Sequence, residues 1–407
     1  SGQPTFQPSL HMTEIYNVDL GALPKSTGFR IKGTGQQTVT AVSPAGDVNG
    51  DGIADMIVGS PDDAANSAAS AGIAYVVFGG NTTFKADVDL SAMVTGRYTG
   101  FRILGASSNN FNGNSVSGAG DVNGDGVDDV ITGAYQVSGA TGVSYVIYGR
   151  KVTSSANAFA DISLSSMVTS TATGFRIFGA VINQRSGFSV SKAGDINGDG
   201  VGDLIIGAPF SASVSGLTTA GIAYVVFGNR TTADVYLANI VTGSKAGFRI
   251  LGAAQGNVLG TSVSGAGDVN GDGVDDVIVG AYRADPTGTR TQAGTSYVIL
   301  GSKTTVSYSD MDMLTMTTGP TTGFRIKGAA ALDLSGYSVS DAGDVNGDGK
   351  ADVIVGAYQA APQVSGVYRS AAGIAFVVMG SSSVVDVDLS LVATGSAAGF
   401  RILGAAP

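Results

Sequence analysis

The chain of 407 residues contains no cysteine and no tryptophan, one histidine (His11) and one glutamate (Glu14). Without cysteine there are no disulfide staples, no thiolate zinc ligands and no thiol nucleophile, and cysteine usage says nothing about the redox compartment. With a single histidine near the N-terminus, no serine elsewhere has an imidazole base at hand, so hydrolysis by a serine–histidine pair is excluded over nearly the whole chain. The chain is read as a non-enzyme. His11 itself reads as a solvated residue beside Met12. No run of 18 apolar residues occurs, so no helical membrane span is expected. Basic residues are few: 22 Lys and Arg face 32 acidic residues for a net charge of −10. A chain without a basic stripe is a poor partner for nucleic acid. The start of the chain lacks a basic segment followed by an apolar one, so a secretion signal is either absent or already removed.

What is present is glycine, 62 residues of it, and aspartate, which supplies 31 of the 32 acidic side chains. Much of that aspartate is ordered. GAGDVNGDGVDD spans Gly118–Asp129 and recurs at Gly265–Asp276, with variants DVNGDGIAD, DINGDGVGD and DVNGDGKAD starting at Asp47, Asp195 and Asp344. The first aspartates fall at 47, 121, 195, 268 and 344, that is, 74, 74, 73 and 76 residues apart. A fixed period of this kind marks a repeat architecture and overrides the two or three domains that length alone suggests.

Each unit has the same order of signals. GFRI appears at Gly28, Gly100, Gly174, Gly247, Gly323 and Gly399; the aspartate loop is followed by an apolar run such as DVITGA, a variable polar stretch, a second apolar run such as SYVIYG, and a turn such as DVDLSAM at Asp87. Runs of four to six β-branched and aromatic residues bounded by glycine read as strands, and no helical period is sustained. The expectation is an all-β protein: a β-propeller of about five four-stranded blades with one surplus N-terminal strand. Residues 1–13 read as a linker and 14–407 as the propeller, with repeats at about 28–99, 100–173, 174–246, 247–322 and 323–407. Six GFRI segments serve five loops. The surplus strand can pack outside the ring, belong to further blades, or pair with a neighbouring molecule and so build a filament.

Within each loop, side-chain oxygens at positions 1, 3, 5 and 9 and the carbonyl of position 7 can converge on one point, with glycine at position 6 for the turn, much as in helical calcium loops. The expected ligands are Asp47, Asn49, Asp51, Ile53 and Asp55; Asp121, Asn123, Asp125, Val127 and Asp129; Asp195, Asn197, Asp199, Val201 and Asp203; Asp268, Asn270, Asp272, Val274 and Asp276; and Asp344, Asn346, Asp348, Lys350 and Asp352, the position-7 residue acting through its carbonyl. Hard oxygen donors favour Ca2+. About five ions per chain are expected, and their +10 would cancel the −10. Position 12 holds Thr132 where an EF-hand needs a bidentate glutamate, so the loop is of another kind. The competing reading is plain turn chemistry, since Asp, Asn and Gly also make Asx turns.

The order S-V-S-x-A-G-D-x-N-G-D-G-x-x-D-x-I-x-G-A, followed by a Y-V-V-F-G strand, resembles the FG-GAP repeat of integrin α-chain propellers and of related bacterial and algal surface proteins. The resemblance covers about residues 28–404. It implies a propeller with Ca2+ held in loops between the first two strands of each blade, an extracellular setting, and a role in adhesion or surface architecture. Two departures stand out. Integrin propellers have seven blades against five here, and the first unit reads TVTAVSPAGD, lacking the usual Gly-x-Ser-Val.

The function expected is therefore a secreted or cell-surface, calcium-binding structural or adhesion module that contacts a protein or glycan ligand through variable loops, where Arg283, Asp285, Arg290, Tyr368 and Arg369 are the most interaction-prone residues. The alternatives are a filament subunit or a glycan-binding propeller using Tyr135, Tyr282 and Tyr358, although their place at strand ends also suits core packing. Two sequons, Asn81-Thr-Thr and Asn229-Arg-Thr, mark tentative glycosylation sites.

Overall fold

Glycine-bounded runs of Val, Ile and Tyr settle as strands because branched and aromatic side chains pack well on a pleated, covered surface. A computed structural model of the chain describes residues 29–33, 39–80, 87–93, 95–96, 99–212, 216–303, 308–364, 367–392 and 396–405. The linker at 1–13 with its His11, Glu14 and the sequon residue Asn81 lie outside the described residues.

A short strand β1 (Ile31–Lys32) comes first. Blade 1 holds β2 (Ala41–Gly46), β3 (Asp55–Ser60), β4 (Ile73–Val77) and, after the short β5 (Val88–Asp89), β6 (Gly100–Leu104). Blade 2 holds β7 (Ser115–Gly120), β8 (Asp129–Ala134), β9 (Val143–Ile147) and, after β10 (Ile162–Ser163), β11 (Gly174–Phe178). Blade 3 holds β12 (Ser189–Gly194), β13 (Asp203–Ala208), β14 (Ile222–Val226) and, after β15 (Val235–Tyr236), β16 (Gly247–Leu251). Blade 4 holds β17 (Val263–Gly267), β18 (Asp276–Ala281), β19 (Thr295–Ile299) and, after β20 (Met311–Asp312), β21 (Gly323–Lys327). Blade 5 holds β22 (Ser335–Gly343), β23 (Asp352–Ala357), a small hairpin of β24 (Gln363–Val364) and β25 (Val367–Tyr368), β26 (Ile374–Val378) and, after β27 (Val387–Asp388), β28 (Gly399–Leu403).

Each blade is an antiparallel sheet in chain order, as expected, but the D-x-D-L turn is more than a turn. Its two-residue strand crosses to the preceding blade and pairs in parallel with that blade's outer GFRI strand: Ile162 opposite Ile103, Val235 opposite Ile177, Met311 opposite Ile250 and Val387 opposite Ile326. Blades 1 to 4 are thus five-stranded, and blade 5 has four strands. The reason is the edge: an outer strand without a partner leaves a row of backbone donors and acceptors open. The surplus strand obeys the same rule. β1 pairs in parallel with β5, Ile31 opposite Val88, in the place an outer strand of a preceding blade would take.

The core lies between blades. Ile57, Phe101 and Ile103 of blade 1 pack on Val116, Val130 and Tyr145 of blade 2, and the next joints repeat the plan. Burying each such side chain contributes roughly 1.5–3 kcal/mol. Backbones also meet closely: a Cβ on Gly133 would stand 2.0 Å from the Gly187 carbonyl oxygen of blade 3, and Gly59, Gly207 and Gly280 face the same obstacle at their own joints. Gly133→Ala is therefore expected to cost about 1–3 kcal/mol or more through forced separation of blades 2 and 3, read as a fall in the urea midpoint.

At the rim, the GFRI arginine reaches the first aspartate of the turn that crosses to it. Arg176 bonds Asp234 at 2.6 Å, Arg249 bonds Asp310 at 2.5 Å, Arg102 bonds Asp161, and Asp386 takes Lys327 at 2.8 Å with Arg325 at 3.4 Å. Burial alone would raise the Asp310 carboxyl; hydrogen bonds from Arg249 and Thr242 outweigh it and hold the group below its usual range. The same balance, led by burial and reversed by Lys327 and Thr318, brings Asp386 down to about 2. Folded-state values below the unfolded one stabilise above the ordinary carboxyl range near ~3.9 and stop doing so as pH falls through the folded value. Asp310→Asn is expected to cost about 1.5–3 kcal/mol at pH 6, and the gap to the parent protein should close as pH falls below the ordinary carboxyl value near ~3.9 in urea melts.

Candidate metal centre

Each aspartate loop joins the inner strand of a blade to its second strand, and the order of Asp, Asn and Gly dictates its shape. In loop 2 the Asp121 carboxylate accepts the N–H groups of Gly124 (2.7 Å), Asp125 (3.0 Å) and Gly126 (2.7 Å). This curl requires positive φ at Gly124 (73°) and Gly126 (88°), which glycine adopts without strain. Asp125 accepts the N–H of Val127 at 3.0 Å and the amide of Asn123 at 3.0 Å, and Asn123 accepts the N–H of Asp125 at 2.9 Å. Loops 4 and 5 repeat this set through Asp268, Asn270, Asp272 and Val274, and through Asp344, Asn346, Asp348 and Lys350. In loop 3 Asp195 holds the N–H groups of Asp199 and Gly200, Asn197 holds that of Asp199, and Asp199 that of Val201. In loop 1 Asp47 holds Asp51 and Gly52, and Asp51 holds Ile53.

Position 9 does something different. Asp129 is fully buried, and its two oxygens accept the N–H of Val122 (3.0 Å) and of Gly149 (2.8 Å), which follows the third strand. Asp55, Asp203, Asp276 and Asp352 make the same two bonds at the head of their own second strands. Burial drives the carboxyls of Asp55 and Asp276 up to about 7, and those of Asp129 and Asp203 to about 8, against the pull of the backbone donors. The carboxylates at positions 1 and 5 of the same loop add to the rise.

The structure thus ties positions 1, 3 and 5 into one hydrogen-bonded set in loops 2, 4 and 5, and sets position 9 beneath as a fastener. Side-chain oxygens turn to nearby backbone N–H groups, the Asx-type pattern. Among the described residues no three or more acidic or histidine side chains gather as a ready ion cage. Does the donor set nevertheless suit a cation? Every side-chain donor is an oxygen except the Asn amide nitrogen, and a carboxylate has lone pairs left after accepting N–H bonds. The amide of Asn49, 2% exposed, has neither its oxygen nor its nitrogen bonded. Buried carboxyls raised by desolvation are groups that a nearby positive charge would relieve. The residues fit a hard divalent ion.

The sequence analysis missed two contributors. Asp128 and Asp275, at position 8, reach across a joint to accept the N–H of Asp47 (2.8 Å) and Asp195 (2.9 Å) in the preceding loop; the doubled Asp-Asp at 128–129 and 275–276 was the signal. Lys151, Arg230, Lys303 and Lys350 pack against glycines of the preceding loops, Gly50, Gly124, Gly198 and Gly271.

The interaction-prone residues sort apart. Arg290 is committed to Asp388 at 2.6 and 2.8 Å, and Arg369 donates to the Gly404 carbonyl at 2.9 Å. Arg283 and Asp285 line a cleft of about 510 Å³ with Gln255, Asn257 and Leu314. The side chain of Tyr368 lies outside the described residues. Tyr135, Tyr282 and Tyr358 are not core residues: Tyr135 and Tyr282 are half-buried and Tyr358 is exposed, and they join ring clusters, Tyr135 stacked on Phe111 and edge-on to Phe188, and Tyr337 between Tyr282 and Tyr358. Asn229 is exposed, and its side-chain oxygen takes the N–H and hydroxyl of Thr231, both at 2.7 Å. No helix among the described residues is long and apolar enough to cross a membrane.

Comparison with known proteins agrees with this repeat plan. The FG-GAP repeat family matches residues 38–77, 112–147, 186–226, 259–299 and 335–377, each match running from the inner strand through the loop towards the third strand. The chain is 29% identical to integrin alpha pat-2 of Caenorhabditis elegans over 249 residues, which is 59% of this chain and 17% of that protein. It is 26% identical to integrin alpha-V of Gallus gallus over 261 residues, 62% of this chain and 20% of that protein. It is also 28% identical to phosphatidylinositol-glycan-specific phospholipase D of Bos taurus over 217 residues, 51% of this chain and 23% of that protein. The chain spans about a fifth of the length of these curated relatives. Five matched repeats, five sheets built to one plan and the integrin α relatives lead to one assignment: the chain belongs to the FG-GAP repeat proteins, with an integrin α-like array of propeller blades.

Proposed function

We propose that the protein is an extracellular, calcium-dependent adhesion or scaffold module. Each loop takes one Ca2+ through the oxygens of positions 1, 3, 5 and 9 and the position-7 carbonyl: Asp47, Asn49, Asp51, Ile53 and Asp55 in loop 1, and their counterparts in the other four. When bound, the ion supplies two positive charges that offset the clustered carboxylates and tie the loop to the buried aspartate beneath it. The observation that carries this reading is the fivefold repetition of one oxygen-rich loop at identical internal spacing. A turn needs only one or two such side chains; five copies with three aspartates each suit a cation.

The blades are the frame and the variable loops between second and third strands are the contact surface. Of these, the 283–291 stretch lines a cleft, to which Arg283 and Asp285 bring charge. The function proposed is binding rather than catalysis; the phospholipase relative is matched over 23% of its own length. Asn229, if the protein is secreted by a glycosylating host, carries a glycan.

Metal content by mass spectrometry after dialysis against micromolar calcium is expected to give close to five ions per chain; a value near zero sinks the metal part. Binding to decellularised matrix and to a glycan array, with calcium or chelator, tests the rest. Calcium-dependent retention on matrix that is weakened in Arg283→Glu supports adhesion, whereas selective glycan binding reassigns the surface to sugars.

A further inference from the structure

Three departures from the repeat fall on one cleft. Where the start of the third strand meets the end of the outer strand, four blades pair two apolar residues: Ile73 opposite Leu104, Val143 opposite Phe178, Ile222 opposite Leu251 and Ile374 opposite Leu403. In blades 1 to 3 these pairs belong to the packed clusters. Blade 4 instead sets Thr295 opposite Lys327. The fourth residue after the first aspartate of the crossing turn is Ser91, Ser165, Ala238 and Ser390 in the other units, and Leu314, 63% exposed, in this one. Thr295, Lys327 and Leu314 all line the cleft of about 510 Å³ where blade 4 faces the Ala253–Asn257 segment that follows blade 3. Neutral drift has no reason to gather three changes in one hollow.

The changes leave polar groups unspent. Thr295 is 2% exposed, and its hydroxyl has no hydrogen-bond partner among the described residues. Asn257, 9% exposed, lines the cleft with Gln255 and Gln292, and none of the three side chains makes a hydrogen bond among the described residues. The rim pair is altered too. Arg249 takes Asp310 through both Nε and Nη2, at 3.1 and 2.5 Å. In blade 4 Lys327 holds Asp386 at 2.8 Å, and Arg325 is left with a 3.4 Å contact to that carboxylate and a bond to the Met316 carbonyl. Arg283 brings a third cation to the cleft from the variable loop. Two carboxylates answer them: Asp386, and Asp285, which accepts the N–H of Gln292 at 2.6 Å. One positive charge is in excess.

We propose that this cleft binds a sugar bearing one carboxylate, a uronate unit of a matrix polysaccharide. The proposal rests on the variable loops being the contact surface and names what that surface takes at this joint. A surplus of one positive charge suits a carboxylate better than a doubly charged phosphate. Amides such as those of Asn257, Gln255 and Gln292 both donate and accept, as ring hydroxyls require. Leu314 offers an apolar lip to the C–H face of a pyranose. The volume lies within the range of about 300–1,000 Å³ usual for small-ligand clefts. An acidic peptide is disfavoured because the outer strands on both sides, β16 and β21, are already paired by β20 and β27, so neither edge there is open to an added strand. No residue of the aspartate loops lines the cleft, so ion uptake and sugar binding can be read apart.

The repeat itself supplies the test variant. Thr295→Val with Lys327→Leu restores the apolar pair of the other blades and frees Asp386 for Arg325, so the double variant is expected to melt no lower than the parent protein. Titration calorimetry with calcium present compares an oligogalacturonate with the same oligomer reduced at its carboxyl groups. The parent is expected to bind the acidic oligomer about tenfold more tightly than the reduced one, equivalent to about 1.4 kcal/mol, and the double variant to lose that preference. Arg283→Gln, on the exposed loop, is expected to weaken the same preference and carries the test if the double variant melts lower. Binding of neither oligomer by the parent, equal binding of both, or an unchanged preference in the folded variants would overturn the proposal. Oligoglutamate or inorganic phosphate bound as tightly as the uronate would overturn it too, making the cleft a general anion site. Retention on matrix that is weakened in Arg283→Glu, by a protein that ignores uronates, would sink the sugar and leave the adhesion reading standing.

Discussion

Chelating calcium is expected to lower the melting temperature of this protein by about 15 °C, the largest single effect available to it. At free calcium a hundredfold above the dissociation constant, each site contributes about 2.7 kcal/mol, so five independent sites contribute roughly 13 kcal/mol. That is comparable to the whole stability of an ordinary domain, about 5–15 kcal/mol. With an unfolding entropy near 2.1 cal/mol/K per residue, the shift for a chain of this length is about 15 °C. The physical cause is the set of loops in which carboxylates at positions 1 and 5 stand over a buried third: the Asp129 carboxyl is already raised to about 8 by burial and by Asp125 and Asp121. Calorimetry in 2 mM calcium and in excess chelator decides the matter. Coincident melts would remove calcium from the account of stability, and magnesium in place of calcium is expected to restore only part of the shift, because it resists giving up its water shell.

The second large effect separates fastening from ion binding within a single loop. Asp129→Ala removes the acceptor of two buried N–H groups, those of Val122 and Gly149. At about 1–3 kcal/mol for each donor left without a partner, the cost is roughly 2–6 kcal/mol. It is expected in chelator as well as in calcium, since both bonds are made without any ion, and in calcium the lost ligand adds to it. Asp125→Ala differs: the residue is exposed and its carboxylate serves the loop itself. Its cost is expected to appear in calcium and nearly to vanish in chelator. Urea midpoints for the two variants under both conditions give four numbers. If Asp125→Ala were equally costly with chelator, its role would be that of a turn residue alone.

Much of this fold could be read from spacing. Five aspartates at steps of 73 to 76 announced five units, and glycine-bounded runs such as DVITGA and SYVIYG became the second and third strands they looked like. Such runs are legible because their burial is the same in every copy. Two things escaped. The turn at Asp161–Ser163 looked local, but its partner, β11's counterpart β6 in the preceding blade, lies some 60 residues back, and a two-residue strand carries no period of its own. The loop side chains were also read as converging on one point, while in the structure Asp121, Asn123 and Asp125 address backbone N–H groups. Ligand-type residues at ligand-type spacing are equally turn-forming residues, and sequence cannot separate the two roles. Position 9 shows the limit well: Asp129 was grouped with Asp121 and Asp125 by spacing, yet it bonds a glycine 20 residues away beyond the third strand.

The crossing strands bear on how the protein meets force. Because Ile162–Ser163, Val235–Tyr236, Met311–Asp312 and Val387–Asp388 each clasp the blade before them, tension drawn along the chain cannot extract one blade without first peeling the clasp of its neighbour. Stretching in an optical trap would then proceed as a sequence of rips, each clasp giving way before the blade it holds.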